Sequence, residues 1–388
     1  MNSSPLFPLD AMPESLKTLA VHVASQHGSP PGVAVLAILS ALGAAVGPTV
    51  NFMPRPGQKF PALLNVVFST TKSSTQSLVE DAFDPLVMNN SFRCRGLMGQ
   101  TRQWLEQEVA CFLRKRAQHL AQLSPDRQSE PTPFDTRLAN LWLARRPIVA
   151  LETKYDDIWD LVGASDCQTF LLTYPHQASE HMRNWAKPSA RKKQSAARRF
   201  RAPSLAPTKS DVVVAPQSEV QRFLGSGPRA TNLAGVLLFV SDYEEPVPPH
   251  AAPPAYWRSK FPERWGPWLR RLFDSQLTDK PSVVEPTPEA LEILDEAIRT
   301  TQDVLSELPA ERACVSNLWP QQVQRLALSM HLACESTGHL SSEIARATWA
   351  LAQWLAVQQL MAGLPHRVAN PGGDEDTSCC RNSFAATL

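Results

Sequence analysis

One stretch constrains this chain more than any other. Leu63-Leu64-Asn65-Val66-Val67-Phe68 is an apolar run of strand length, and the polar turn Ser69-Thr70-Thr71-Lys72-Ser73-Ser74-Thr75 follows it at once. Gln76 to Phe83 then has helical spacing, with Leu78, Val79, Ala82 and Phe83 as its apolar positions. An unbroken apolar run without alternation suits a strand covered on both faces, so Leu63–Phe68 is expected inside a mainly parallel sheet. Strand, Lys-Ser loop and helix together make the layout of a phosphate-binding loop. The loop glycines are missing. Glycine provides the positive-φ conformations and the close backbone approach that wrap a phosphate, and an ordinary residue forced into left-handed geometry costs roughly 1–2 kcal/mol.

Further apolar runs at Pro147–Leu151, Phe170–Leu172, Asp211–Ala215 and Leu233–Val240 are separated by helix-length segments. Parallel strands need such crossovers, so the expected fold class is α/β, a P-loop-like and mainly parallel sheet flanked by helices. Ahead of it, Leu16, Leu19, Ala20 and Val23 mark one face of a first helix. Val33–Val46 is apolar nearly all round and too short to span a bilayer, so it reads as a buried helix. Asp156–Val162 and Gln217–Leu224 look helical, and Pro288–Leu308, Pro320–Cys334 and Ser341–Met361 form an all-helical C-terminal region. The expected divisions are N-terminal helices at 1–48, the α/β core at 49–245 with a basic insertion at 187–210, a proline-rich connection at 246–286, the helical region at 287–364 and a disordered polar tail at 365–388.

With 38 Lys and Arg against 37 Asp and Glu, any electrostatic targeting must come from local clusters. Such a cluster lies at Lys187, Arg191, Lys192, Lys193, Arg198, Arg199 and Arg201, with no acidic residue among them. It reads either as a contact for nucleic-acid phosphates or as a solvated loop. Phe200 among the arginines could stack on a base, which favours single strands. Trp265 and Trp268 read as local core, and His176 and His181 as surface or structural residues. The seven cysteines show no CxxC spacing, so neither a disulfide framework nor a zinc site is expected, and a reducing cytoplasm is the default. No membrane association is expected.

Several segments, taken in order, resemble the YfjI-like family of prophage and mobile-element proteins: Phe7–Pro13, Leu42–Gly47, the loop at Lys72, Ile148–Thr153, Pro216–Leu224, Leu233–Leu237, Gln324–Leu328 and Ser341–Ala347. The similarity covers most of residues 5 to 362. The family's members are P-loop, helicase-like proteins of unassigned role, often encoded beside primases. The resemblance implies a link to mobile-element DNA replication, with ATP and Mg²⁺ as cofactors where the loop is intact. Single-stranded DNA, replication proteins or further copies of the chain are the implied partners. The departures fall on the chemistry. Lys72-Ser73 align with the family's Lys-Ser pair in one register; in the other, Lys72 takes an arginine position and Ser73 the lysine. No carboxylate stands at Thr173-Tyr174-Pro175-His176, where an acidic pair belongs, and Gly235 replaces an arginine.

The candidate nucleotide site is therefore Thr70, Thr71, Lys72, Ser73 and Ser74. It reads as a plain turn before a Ser- or Thr-capped helix, as a residual anion site at a helix N-terminus, or as an unorthodox ATP site using Lys72. Glu152, directly after Ile148–Leu151, is the candidate metal carboxylate, or else a strand-end residue or helix cap. A degenerate P-loop relative that binds nucleic acid with little or no hydrolysis is the leading expectation. An active ATPase and a non-catalytic interaction subunit are its rivals.

Overall fold

The structure is a computed structural model that describes residues 6–70, 72–97, 102–123, 132–134, 148–151, 167–185, 208–226, 236–242, 261–275, 282–308 and 313–363. Thr71, Glu152, the expected helix at Asp156–Val162, the basic run Lys187–Arg201, Gly235, Pro246–Pro254 and the C-terminal tail lie outside the described residues.

The chain is α/β. Its main sheet has five strands: β3 (Val66–Ser69), β4 (Ile148–Leu151), β5 (Cys167–Leu172), β6 (Thr208–Ala215) and β7 (Leu238–Ser241), in the order β4-β5-β6-β3-β7. Every pairing in it is parallel. Val66–Ser69 is buried throughout and lies between β6 and β7, the internal place that an unbroken apolar run requires. From β3 the chain jumps to the β4 edge, returns strand by strand to β6, then passes β3 to reach β7. Right-handed crossovers place the first connection, which holds α4 (Arg102–Ala121), on one face and the returning helices, α5 (Pro175–Trp185) and α6 (Gln217–Leu224), on the other.

The face behind β3 is built on helices α1 (Glu14–His27) and α2 (Pro31–Val46). Leu16, Leu19, Ala20 and Val23 of α1 are buried together, as their spacing predicts. Gly28 closes α1 in the left-handed region at φ 63°, and Pro31 starts α2 at a position whose N–H needs no partner. Gly32 to Val46 is buried residue by residue. Helix α2 touches α1, the long α3 (Ser73–Leu97), α7 (Trp265–Ser275) and α9 (Ala313–Ala333), and lies under β3 and β7. Trp265 is buried and its Nε1–H donates to the Ala82 carbonyl of α3 at 3.0 Å, while Trp268 packs edge-on against it.

Several boundaries differ from the sequence reading. The strand starts at Val66, not Leu63, because Ala62–Leu64 is buried without forming ladder bonds. Side chains of α9 satisfy its carbonyls instead: Ser329 Oγ donates to Ala62 at 3.0 Å and Arg325 Nη1 to Leu63 at 3.1 Å. Burial lowers the pKa of that guanidinium. β6 begins at Thr208, inside the range expected for the basic insertion. The connection expected at 246–286 contains α7 and a strand, β8 (Ser282–Val284). β8 runs parallel to β1 (Val50–Phe52), which pairs antiparallel with β2 (Phe60–Pro61) on its other side.

Pro320 does not begin a helix; it lies inside α9. Proline cannot donate to the carbonyl four residues back, here that of Ser316. Gln302 of α8 (Pro288–Leu305) does so in its place, Nε2 to Ser316 O at 2.9 Å. α8, α9 and α10 (Ser342–Gly363) pack on one another, and Trp319 Nε1 donates to Thr301 Oγ1 at 2.7 Å across the α8–α9 contact.

β7 is an edge strand, and α10 closes it. The outward N–H and C=O of Phe239 both meet the carboxamide of Gln359, at 3.3 and 3.2 Å, and Gln358 Oε1 accepts from Ser241 N at 3.3 Å and Oγ at 2.9 Å. A side-chain amide here replaces the missing neighbour strand, which is one way to blunt an edge. Gln359→Leu leaves both Phe239 groups buried and unpaired, at about 1–3 kcal/mol. Urea unfolding is expected to register that loss, and amide exchange at Phe239 to quicken; an unchanged midpoint would mean the edge is held by other contacts.

Candidate functional site at the carboxyl ends of the parallel strands

In an open parallel sheet, ligands bind beyond the carboxyl ends of the strands, where neighbouring connections diverge. Here that place is the end of β3, with β6 and β7 on either side. Only Thr70, Thr71 and Lys72 separate the last residue of β3 from the first of α3. Thr70 continues the sheet for one more bond, its N–H donating to Ala215 O at 2.9 Å. Its hydroxyl oxygen accepts the Lys72 N–H at 2.9 Å, a side-chain turn of the kind Ser and Thr favour before helices.

The Thr70 hydroxyl itself donates to a carboxylate oxygen of Asp242, the residue directly after β7. Thr70 and Asp242 are both buried, at 6% and 7% exposure. Lys72 reaches over the same residue. Its ammonium donates to the Asp242 main-chain carbonyl at 2.9 Å and lies 3.9 Å from the carboxylate. Ser73 is exposed, Ser74 half-buried, and Thr75 fully buried with no hydrogen-bond partner for its hydroxyl. Four of the five expected nucleotide-site residues, Thr70, Lys72, Ser73 and Ser74, thus stand together at the loop, and Thr71 lies outside the described residues.

Two carboxylates missing from the sequence reading flank this loop. Asp242 is one. Glu80, on the second turn of α3, is the other: its Oε1 accepts from Thr173 Oγ1 at 2.7 Å and from Gln76 Nε2 at 3.0 Å. An acidic residue does therefore meet the end of β5, but it comes from the helix. Asp242 carried a usable signal, since a carboxylate directly after an apolar strand is the pattern that singles out Glu152. Glu80 carried none, because nothing local separates it from any other helical Glu.

Anion binding and metal binding make different demands on these groups. A free ammonium and free N–H groups would attract a phosphate; the Lys72 N–H is taken by Thr70, and one of the three donors of its exposed ammonium goes to the Asp242 carbonyl. A Mg²⁺ site would need a carboxylate open to the ion, and one oxygen of Asp242 is bonded to Thr70. Among the described residues, no group of His, Cys, Asp and Glu is placed to hold a metal ion. The arrangement uses one donor of Lys72 and one carboxylate oxygen of Asp242 internally. It does join the ends of three strands through one loop.

His181, expected as a surface or structural residue, is buried, with its Nε2 3.1 Å from Asp211 Oδ1; His176 is exposed. The Cys334 thiol is pushed up to about 11 by burial and by Glu343, which leaves it un-ionised and a poor nucleophile near neutral pH. Among the described residues, no single helix is long and apolar enough to cross a membrane. No family model, curated protein or solved structure matches the chain.

Proposed function

We propose that this chain is a helicase-like P-loop relative that binds nucleic acid and does not turn over nucleotide. The observation that carries the reading is the internal capture of Lys72: its ammonium sits 2.9 Å from the Asp242 carbonyl, over a carboxylate already bonded to Thr70. A working loop keeps that lysine for the phosphates and places four residues between two glycines ahead of it. With only Thr70–Lys72 between strand and helix, too little backbone is left to ring a phosphate. Hydrolysis needs in addition a metal-holding carboxylate and a group to orient water.

The sheet supports descent from such a fold. In β4-β5-β6-β3-β7 the loop-bearing strand is internal and lies between the last two strands of the series, so its carboxyl end opens where the connections on either side diverge. The nucleic-acid half of the reading rests on the sequence, on Lys187, Arg191, Lys192, Lys193, Arg198, Arg199, Phe200 and Arg201. Single-stranded DNA is the favoured ligand, since Phe200 among arginines suits stacking on an unpaired base.

Two measurements on the purified chain test the two halves. ATP turnover with Mg²⁺, with or without DNA, is expected at background, and Lys72→Ala is expected to leave it there. A single-stranded oligonucleotide is expected to bind at low salt, with log K falling against log salt by roughly 0.7 per phosphate contacted. Replacing Arg198, Arg199 and Arg201 by Ala is expected to flatten that slope. Turnover that Lys72→Ala abolishes overturns the first half. Absence of binding at low salt overturns the second and leaves an interaction subunit as the reading.

A further inference from the structure

The outer face of α5 leads away from the strand ends. The helix starts at Pro175, directly behind Thr173 and Tyr174 at the carboxyl end of β5. Thr173 Oγ1 donates to Glu80 of α3 at 2.7 Å, and the Tyr174 carbonyl accepts from Ala178 N at 3.0 Å, so the entry to the helix is anchored at both residues. The Tyr174 side chain nevertheless stays in water, 40% exposed, and forgoes the burial that a core position gives an aromatic ring. The exposed His176 ring lies 6.3 Å from it between centroids, tilted by 45°. Further along α5, Glu180 and Arg183 are exposed with His176, while Ala178, Ser179, His181 and Met182 are buried. Steps of four and three residues set the exposed positions on one stripe. The next sequence position on that spacing is Lys187, where the basic run begins. Arg183 Nε donates to the Ser179 carbonyl at 3.1 Å, and the bond leaves the Nη groups of this exposed guanidinium for other acceptors.

We propose that a single nucleic-acid strand lies along this stripe, with a base stacked on Tyr174 and the phosphates that follow meeting Arg183 and then the basic run. This path rests on the nucleic-acid half of the function proposed above and gives the strand a seat on the described surface. Proteins that hold single strands without sequence preference combine a basic track for the backbone with aromatic faces for the bases. Here one helix carries the aromatic end and points its exposed row toward the basic one. His176 and Arg183 stand about 10 Å apart along the axis, which about three stacked nucleotides cover. A duplex keeps its base faces inside the stack, so stacking on Tyr174 selects unpaired strands. Glu180 is the one acidic residue on the stripe among the described residues, and its charge opposes the phosphates beside it.

Fluorescence anisotropy of a labelled oligo(dT) with the full chain tests it, across a salt series and beside a duplex of the same length. Tyr174→Ala is expected to weaken the single strand about tenfold, within the range that one stacked base provides. The factor should be the same at every salt concentration, because stacking releases no counterions. Tyr174→Phe, which keeps the aromatic face, is expected to bind as the parent does, and duplex affinity is expected to be equal in all three proteins. Arg183→Ala is expected to lower the salt slope by roughly 0.7, one phosphate on a single strand. Glu180→Gln is expected to tighten binding. The three positions are exposed, so each variant keeps the parent's fold. No binding of oligo(dT) by the parent at low salt overturns this path together with the nucleic-acid half of the function. Binding that Tyr174→Ala leaves unmoved, that Tyr174→Phe weakens as much as Tyr174→Ala, or whose slope Arg183→Ala does not change overturns the path alone and leaves the basic run as the contact.

Discussion

Gly43→Ala is expected to cost about 3 kcal/mol or more of folding stability, at or beyond the upper end for an overpacked core, and Gly43→Val to leave no folded chain. Gly43 lies on the buried helix α2, where it crosses the irregular segment ahead of β3. A Cβ added there would stand 2.2 Å from the Ala62 carbonyl oxygen and 3.0 Å from its carbon. The obstacle is main chain, so no rotamer change relieves it. Nor is that main chain free to move, because Ser329 holds the Ala62 carbonyl and Arg325 that of Leu63. Shifting the segment breaks these bonds or displaces β3, which opens directly onto the candidate site. Two other glycines calibrate the effect. Gly28→Ala meets open space and pays only for a left-handed φ of 63°, roughly 1–2 kcal/mol. Gly32→Ala meets the buried rings of Trp354 at 2.7 Å and Phe7 at 2.9 Å, an overpacking by side chains rather than main chain, which costs about 1–3 kcal/mol. Thermal or urea unfolding should therefore rank Gly43 above both. A Gly43→Ala protein within 1 kcal/mol of the parent would mean the α2–β3 contact relaxes freely.

That contact also separates what the sequence made legible from what it did not. The buried state of α2 was readable because Val33 to Val46 offers no polar face to solvent. The internal, parallel place of β3 was readable for the same reason, since a run without alternation has both faces covered. The start of β3 was not. Ala62–Leu64 is as apolar as a strand, and only side chains from α9, far along the chain, supply the bonds that keep it out of the ladder. Pro320 follows the same logic: local chemistry places a proline at a helix start, and the Gln302 amide that lets it sit inside α9 comes from another helix. β8 is short, and its pairing with β1 joins segments distant in the chain, so no periodicity announced it. At the candidate site, the loop was legible from its strand, its Lys-Ser pair and its lack of glycine. The lock on that lysine was not, because it depends on β7 lying beside β3 and bringing Asp242 to Thr70.

That lock sets the second large effect. If Thr70, Lys72 and Asp242 serve to join strand ends, their replacement should be read in stability, and in a particular order. The Thr70 hydroxyl donates to a carboxylate with both residues buried, and a hydrogen bond to a charged group contributes about 1.5–3 kcal/mol. Thr70→Val and Asp242→Ala, which leaves no acceptor for the hydroxyl, are each expected to cost about that much. The double variant should cost little more than either alone, because both remove one interaction. Lys72→Met should cost less than about 1 kcal/mol, since its side chain is 46% exposed and its charge is screened by water. A loop kept for nucleotide gives the opposite pattern: replacing its lysine abolishes ligand binding and leaves folding untouched, while the strand-end carboxylate, held for a metal rather than for Thr70, is stabilised by removing its unpaired charge. Urea unfolding of the four proteins decides between the two. Additive losses from Thr70→Val and Asp242→Ala, or a more stable Asp242→Ala, would show that Asp242 does not hold the loop and would return its carboxylate to the search for a ligand.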